Sequence, residues 1–558
     1  MSGTAAVEEL PWWRRAVIYE VYLRSFKDTS GDGIGDLQGV IEKLDYLNDG
    51  APLSLGHAEY RETNPSPSLR IDAMWITPFY PSPMEDFGYD IMDFIGIDPL
   101  FGDLPTFDRL LHEAHKRGIK VIIDIVLNHS SDRHPWFIES RRSRDDPKHD
   151  WYIWRDAGPD GSLPNNWGSP FGGPTWTWDE ATGQYYLHQF LKEQPELNWR
   201  NPELRRAMMD VLRFWLDRGV DGIRMDVIGM IVKDAQFRDN PPNLEADPGL
   251  HPDDIFGRQV HLYNEDQDEV HQILQDIRTL LDEYDGRCAL GELGYPLDRW
   301  VKYYGEDGDG LHLPLNFRLM ERPWTAQAIR QLVEEIEAIL PSFAWPTYVL
   351  GSHDAPRMAS RLGGDHVRIA AMLLLTLRGT PILYQGDELG IENARIPAER
   401  IRDPQGLRLG HERSRDMSRS PMLWDGSPYG GFSTSKPWLP VSADYAARNV
   451  AAQGTDLGSA LNLYRRLIRY RRSSPAMLEG SYRSVNAGPE DCFVYLREHG
   501  KERCLVVLNF ASESRALSIP LGGNGSVEIS TYLDRYETTS LERIDLRPHE
   551  GLIIEMDP

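Results

Sequence analysis

From Ala16 to about Ser474, short apolar runs alternate with segments whose apolar residues recur every three or four positions. Eight runs read as strands: Ala16–Leu23, Ala73–Thr77, Lys120–Val126, Gly222–Asp226, Ala289–Glu292, Leu313–Asn316, Thr347–Gly351 and Thr380–Tyr384. Helical patterns lie between and after them, among them Thr106–Arg117, Pro202–Arg218, Ala326–Leu340 and Leu457–Ser474. In the first, Phe107, Leu110, Leu111 and Ala114 share one face, and Gly118 follows as a terminating residue. Strands alternating with helices predict an α/β fold, a (β/α)8 barrel. Past Ser474 the runs shorten and alternate, as in Phe493–Arg497, Cys504–Asn509, Arg515–Ile519 and Gly551–Glu555, and read as hairpins. The expected organisation is a barrel from residues 1–127 and 199–474, an inserted domain at 128–198 after the third strand, and a C-terminal antiparallel β-sandwich at 475–558.

Four connections exceed what a minimal barrel needs: Asn48–Arg70, about Asn128–Asn198, Gly229–Leu262 and Gly386–Pro440. Long loops without their own structure are usually functional in a compact domain. Barrel active sites lie among the loops that follow the strands. The last three are therefore expected to roof the site, and the first to lie on the opposite face.

Composition narrows the function. The 41% of hydrophobic residues excludes a disordered or low-complexity chain. A net charge of −26 repels phosphate backbones and anionic lipid, so nucleic acid and membrane surfaces are set aside as partners. Three cysteines make neither a disulfide framework nor a CxxC metal site. Met1–Leu10 lacks the basic and apolar regions of a signal peptide, and no apolar run reaches membrane-spanning length. The expectation is a cytoplasmic, soluble protein, with monomer or homo-oligomer undecided.

Chemistry gathers at the strand ends. In Gly222-Ile-Arg-Met-Asp226, Arg224 and Asp226 point to the same side of a strand. A neighbouring guanidinium is expected to keep Asp226 ionised, as a nucleophile must be. Glu292 ends the fifth strand after apolar Ala289 and Leu290, where a partly desolvated carboxyl suits a proton donor. Ser352-His353-Asp354 ends the seventh, and Asn128-His129 the third. Two carboxyls across a pocket with a third nearby suit glycoside hydrolysis, one attacking the anomeric carbon and the other moving protons. Trp167, Phe171, Trp176, Trp178 and Phe190 are expected to offer apolar faces to sugar rings. Separately, Asp28–Asp36 places oxygen ligands at alternate residues, with glycines for tight turns. Asp28, Ser30, Asp32, the carbonyl of Ile34 and Asp36 are candidate ligands of a structural Ca2+, with Mg2+ as the alternative.

These residues resemble the α-amylase superfamily of glycoside hydrolases, in its oligo-1,6-glucosidase and α-glucosidase branch. The four usual blocks stand as Asp124–His129, Gly222–Asp226, Gly291–Leu293 and Ser352–Asp354, and Gln194–Asn198 resembles a further block of the branch. The resemblance implies Asp226 as nucleophile, Glu292 as acid/base and Asp354 as transition-state stabiliser. It implies that Arg224, His129 and His353 bind the innermost glucose. Asp86 would hold the far hydroxyls of the terminal sugar, and Tyr89 would stack on its ring. The arginine that pairs with Asp86 and closes the pocket is read as Arg419, with Arg415 as the alternative. Val227, directly after the nucleophile, goes in this branch with α-1,6 cleavage. The sequence departs from the family at Ser352, where Asn is usual, at Leu423, and in the lengthened Asn48–Arg70 link. The implied activity is a retaining, exo-acting α-glucosidase on short α-glucosides. The rival is a glucosyl-transferring or isomerising relative: a sucrose isomerase, trehalose synthase or glucoside phosphorylase.

Overall fold

The computed structural model describes residues 10–52 and 67–557. Eight parallel strands form the central sheet: β1 (Ile18–Val21), β2 (Ala73–Ile76), β3 (Lys120–Val126), β7 (Gly222–Asp226), β8 (Cys288–Gly291), β9 (Leu313–Pro314), β10 (Thr347–Val349) and β11 (Thr380–Tyr384). Their order is β10-β11-β1-β2-β3-β7-β8-β9. β9 and β10 complete the circle without a ladder, and the Thr347 hydroxyl donates to the Pro314 carbonyl at 2.7 Å across that gap. The expected barrel is thus present, nearly closed.

The strands read as continuous apolar runs because parallel strands are covered on both faces. Ile18, Ala73, Trp75, Ile122, Cys288, Leu290, Leu313, Val349 and Ile382 pack together in one cluster. Their neighbours Tyr19, Val21, Met74, Ile76, Val121 and Ile123 belong to the larger core shared with the helices. The helix Leu104–Lys116 illustrates how local sequence sets an element. Asp103 caps it by accepting from the Thr106 amide, Pro105 sits in its first turn, and Phe107, Leu110, Leu111 and Ala114 are its buried face. Gly118, at φ 74°, supplies the left-handed step that turns the chain into β3.

Residues between β3 and β7 carry β4 (Trp154–Arg155), β5 (Trp176–Asp179) and β6 (Gln184–Leu187), a small antiparallel sheet in the order β4-β6-β5. Bridges His129–Glu196 and Tyr152–Leu197 fasten the two ends of this insertion to each other. At the C-terminus, β12 (Ser481–Ser484), β13 (Cys492–His499), β14 (Glu502–Asn509), β16 (Asn524–Ser530), β17 (Thr538–Ser540) and β19 (Gly551–Met556) form a six-stranded antiparallel sheet. β15 (Arg515–Leu517) pairs with β18 (Ile544–Leu546) beside it. Cys288, Cys492 and Cys504 are buried free thiols. In the long link Asn48–Arg70, residues 53–66 lie outside the described residues.

Candidate active site

Strand register brings the chemistry together. Asp124 on β3 sits opposite Arg224 on β7, and Val126 opposite Asp226. Met225 sits opposite Gly291, which places Glu292 beside the end of β7. Arg224 is fully buried and shared by three carboxylates. Its Nη1 donates to Asp124 Oδ1 and to Asp226 Oδ1, each at 2.7 Å, and its Nη2 donates to Glu292 Oε2. The Trp75 ring lies 4.7 Å below the guanidinium carbon. Asp226 and Glu292 therefore occupy the two ends of one planar fork.

Burial pushes the Asp226 carboxyl well above the usual carboxylate range; Arg224 pulls it back, while Glu292, Asp124 and Asp354 push it further up. Asp124 is raised by burial in the same way, again against Arg224. Arg224 pulls the Asp226 pKa down as the sequence suggests, but it is divided among three carboxylates, and burial together with its acidic neighbours outweighs it. Such a set takes up a proton readily, and that proton belongs to the set rather than to one member.

The opposite wall comes from β1, β10 and the loop after β11. Glu20 on β1 is fully buried, and its Oε1 meets His353 Nδ1 at 2.5 Å. Tyr89 stacks on His353 with a 6° interplanar angle, and its hydroxyl reaches His353 Nε2 (2.8 Å) and Asp124 Oδ2 (3.0 Å). Burial lowers the His353 pKa, but Asp354 and Glu20 outweigh it and lift it to about 9. Burial also opposes ionisation of Asp354, yet His353, Arg419 and Arg415 hold its carboxyl well below the usual range. His129 is the reverse case. It is buried, which with Lys233 nearby lowers its pKa to about 3.

The arginine at Asp86 is Arg415, not Arg419. Arg415 Nη2 donates to Asp86 Oδ1 at 2.9 Å and to Asp403 Oδ1 at 2.7 Å, and its Nη1 donates to Asp354 Oδ1 at 3.2 Å. Arg419 is fully buried one turn further on. It donates to the His353 carbonyl (3.1 Å) and to Asp354 Oδ1 (2.6 Å), so it fixes the His353-Asp354 segment instead. The physical reason is Asp403, a buried acid from the same loop that aims Arg415 across the pocket. Gln194 completes this end, donating to Asp86 Oδ2 at 3.1 Å and approaching His129 Nε2 at 3.0 Å.

Of the aromatics, Phe171 and Phe190 are at the site. They meet edge to face at 5.4 Å, Phe171 lies under Arg415, and Phe190 packs on His129. The other three are not. Trp167 and Trp176 form the inserted domain's own core with Ile153 and Leu187, and Phe237 stacks on Trp167. Trp178 is exposed against Tyr185. A domain this small needs its largest apolar side chains for its own core. Val227 adopts φ 37°, ψ 43°, and its amide faces Glu292 Oε2 at 3.4 Å.

Glu20, Asp124, Gln194 and Asp403 were given no role by the sequence reading. Glu20 and Asp124 carry a usable signal, an acid inside an otherwise apolar barrel strand, which needs a partner across the barrel.

The Asp28–Asp36 loop is a separate construction. Asp28 accepts from the Gly31 and Gly33 amides, both at 2.8 Å, and from the Ser433 hydroxyl. Asp36 accepts from the Thr29 amide and caps the helix Leu37–Glu42 through Gly39. Asp32 is exposed and accepts from the Ile34 amide. The donors are all oxygen, as a hard cation requires. As placed, however, their carboxylates serve the backbone, and no group of three His, Cys, Asp or Glu side chains fit to hold an ion occurs among the described residues.

Comparison with known proteins agrees with this geometry. The family described as alpha amylase, catalytic domain, matches residues 20–55 and 66–480, and the maltogenic amylase C-terminal domain matches 482–553. A probable alpha-glucosidase of Rhizobium meliloti (strain 1021) is 40% identical over 91% of each chain. An oligo-1,6-glucosidase of Heyndrickxia coagulans is 36% identical over 98% of this chain and 99% of its own. The crystal structure of an alpha-glucosyl transfer enzyme, XgtA, superposes with a TM-score of 0.89 at 40% identity, covering 98% of this chain and all of that one. With the family match over most of its length and relatives this similar over nearly their whole length, the chain belongs to the α-amylase family of glycoside hydrolases.

Proposed function

We propose that this hydrolase is a retaining, exo-acting α-glucosidase that releases single glucoses from the non-reducing end of short α-glucosides, α-1,6 links among them. The observation that carries the reading is the Arg224 fork. Two carboxyls on one guanidinium are close neighbours, which favours the short spacing of about 5–5.5 Å at which one of them attacks carbon directly. Asp226 attacks the anomeric carbon and Glu292 donates a proton to the leaving oxygen. Glu292 then takes a proton from water as the glucosyl-enzyme is hydrolysed. Asp354, held ionised, accepts hydrogen bonds from the glucose hydroxyls and opposes the positive charge that develops on the sugar. Neutral His129 and charged His353 line the same ring. The exo mode is supported by the Asp86–Arg415–Asp403 chain, buried ion pairs suited to closing one end of the pocket.

A second reading, glucosyl transfer, is favoured by the likeness to the α-glucosyl transfer enzyme. It uses the same covalent intermediate and differs in what attacks it. Product analysis on isomaltose, maltose and sucrose, with and without phosphate, separates the two. Free glucose as the main product supports hydrolysis; isomerised disaccharide, longer glucosides or glucose phosphate would replace it.

The all-oxygen loop at 28–36 supports a structural Ca2+, or Mg2+, as a proposal confined to stability, because binding needs its carboxylates to turn from their amides. No helix among the described residues is long and apolar enough to cross a membrane. A cytoplasmic location is proposed with the small substrate.

A further inference from the structure

Glu196 and Lys233 form a buried ion pair that no step above uses. Lys233 is fully buried and Glu196 nearly so, and Nζ lies 3.1 Å from Glu196 Oε2. The residues come from different parts of the chain: Glu196 ends the inserted domain, and Lys233 follows the nucleophile strand by seven positions. Each end of the pair is tied to a wall of the pocket.

On the carboxylate side, Glu196 Oε1 accepts from Asn128 Nδ2 at 2.6 Å and from the Gln189 amide at 3.0 Å. Asn128 precedes His129, and its Nδ2 lies 3.1 Å from His129 Nδ1. Gln189 precedes Phe190, which packs on the His129 ring. On the ammonium side, Nζ also donates to the Met230 carbonyl at 2.5 Å. Met230 closes the short turn Ile228–Met230, which opens at Val227 directly after Asp226. One carboxylate and one ammonium thus join the end of β3, the segment after β6 in the inserted domain, and the turn behind Asp226.

We infer that Lys233 and Glu196 are positioning residues of the active site, setting His129 and Phe190 against Asp226. The inference rests on the proposed glucosidase reading for its activity readout. The pair's hydrogen bonds run to Asn128, Gln189 and Met230 rather than to the catalytic carboxylates, so its effect passes through those three residues. Breaking a buried pair from one side leaves an uncompensated charge and destabilises the fold, whereas removing both charges together often restores stability. A merely structural pair and a positioning pair therefore part company in the double variant.

The experiment compares Lys233→Met, Glu196→Gln and Lys233→Met/Glu196→Gln with the unaltered enzyme. Melting temperature and kcat/KM on p-nitrophenyl α-glucoside are read well below the lowest melting point. Each single variant is expected to melt lower. The double variant is expected to regain most of that loss, because a glutamine side-chain carbonyl still accepts from Asn128 and Gln189 without a charge. Its kcat/KM should stay down by about tenfold to a hundredfold, the scale of a misplacement near 1 Å, because the tie from Glu196 through Lys233 to the Met230 carbonyl is lost. Recovery of kcat/KM together with the melting temperature would make the pair structural only and overturn the inference. So would single variants that change neither quantity. If the unaltered enzyme turned over no α-glucoside, the function reading would fall separately. Additive melting shifts in the same three variants would then show that the tie between the elements does not exist.

Discussion

Val227 is a β-branched residue in left-handed backbone, a conformation that costs of order 1–3 kcal/mol and persists only where the surroundings impose it. Here it turns the chain directly after Asp226 and aims an amide at Glu292. In the proposed glucosidase its side chain would offer a leaving sugar an apolar wall without a hydrogen bond. Val227→Thr keeps the branching, and so the backbone cost, while adding a hydroxyl. The expected outcome is a shift of kcat/KM from isomaltose toward maltose worth about 1–3 kcal/mol. An unchanged ratio would remove Val227 from linkage selection. At Asp226 the expectation is larger. Asp226→Asn should still fold, since Arg224 keeps Asp124 and Glu292, and lose turnover by about 10⁴-fold or more. A folded variant that kept a tenth of the activity would place the nucleophile elsewhere.

Among the elements, β1 and the segment after β10 are joined by Glu20 and His353. The His353 pKa is raised to about 9 from an ordinary 6.5. A group raised in the folded state contributes stability that is fully present below the unfolded pKa and lost as pH rises through the folded one. The melting temperature should therefore decline between about pH 6.5 and 9, and Glu20→Gln should flatten that decline. Parallel pH profiles of the two proteins would contradict it. Glu20 was hidden from the sequence reading because an acid in Ile18-Tyr-Glu-Val21 looks like an interruption of a core strand. Its partner lies 333 positions away and becomes visible only once the barrel closes. The Asp28–Asp36 loop joins β1 to Ser433 and to the helix it caps. If it takes Ca2+, a chelator should lower the melting temperature and added Ca2+ restore it, by linkage. An identical melting curve with and without chelator would leave the loop to its hydrogen bonds.

Across the whole molecule, the barrel was legible because parallel strands are apolar on both faces and each ends in a polar turn. The strand ends were legible because Asp226, Glu292 and Asp354 sit where apolar runs stop. Pairings between loops were not. Arg415 and Arg419 are four positions apart in one loop, and only the placement of Asp403 sends the first to Asp86. Trp167 and Trp176 misled for a similar reason, since they serve the inserted domain's own packing. The proposed mechanism has Asp226 attack carbon, so that the sugar leaves with its configuration kept. Proton NMR of the first glucose formed, recorded before mutarotation on isomaltose or an aryl α-glucoside, tests it most directly. The account predicts α-glucose first. β-Glucose appearing first would mean direct attack by water, and would contradict the roles given to Asp226 and Glu292.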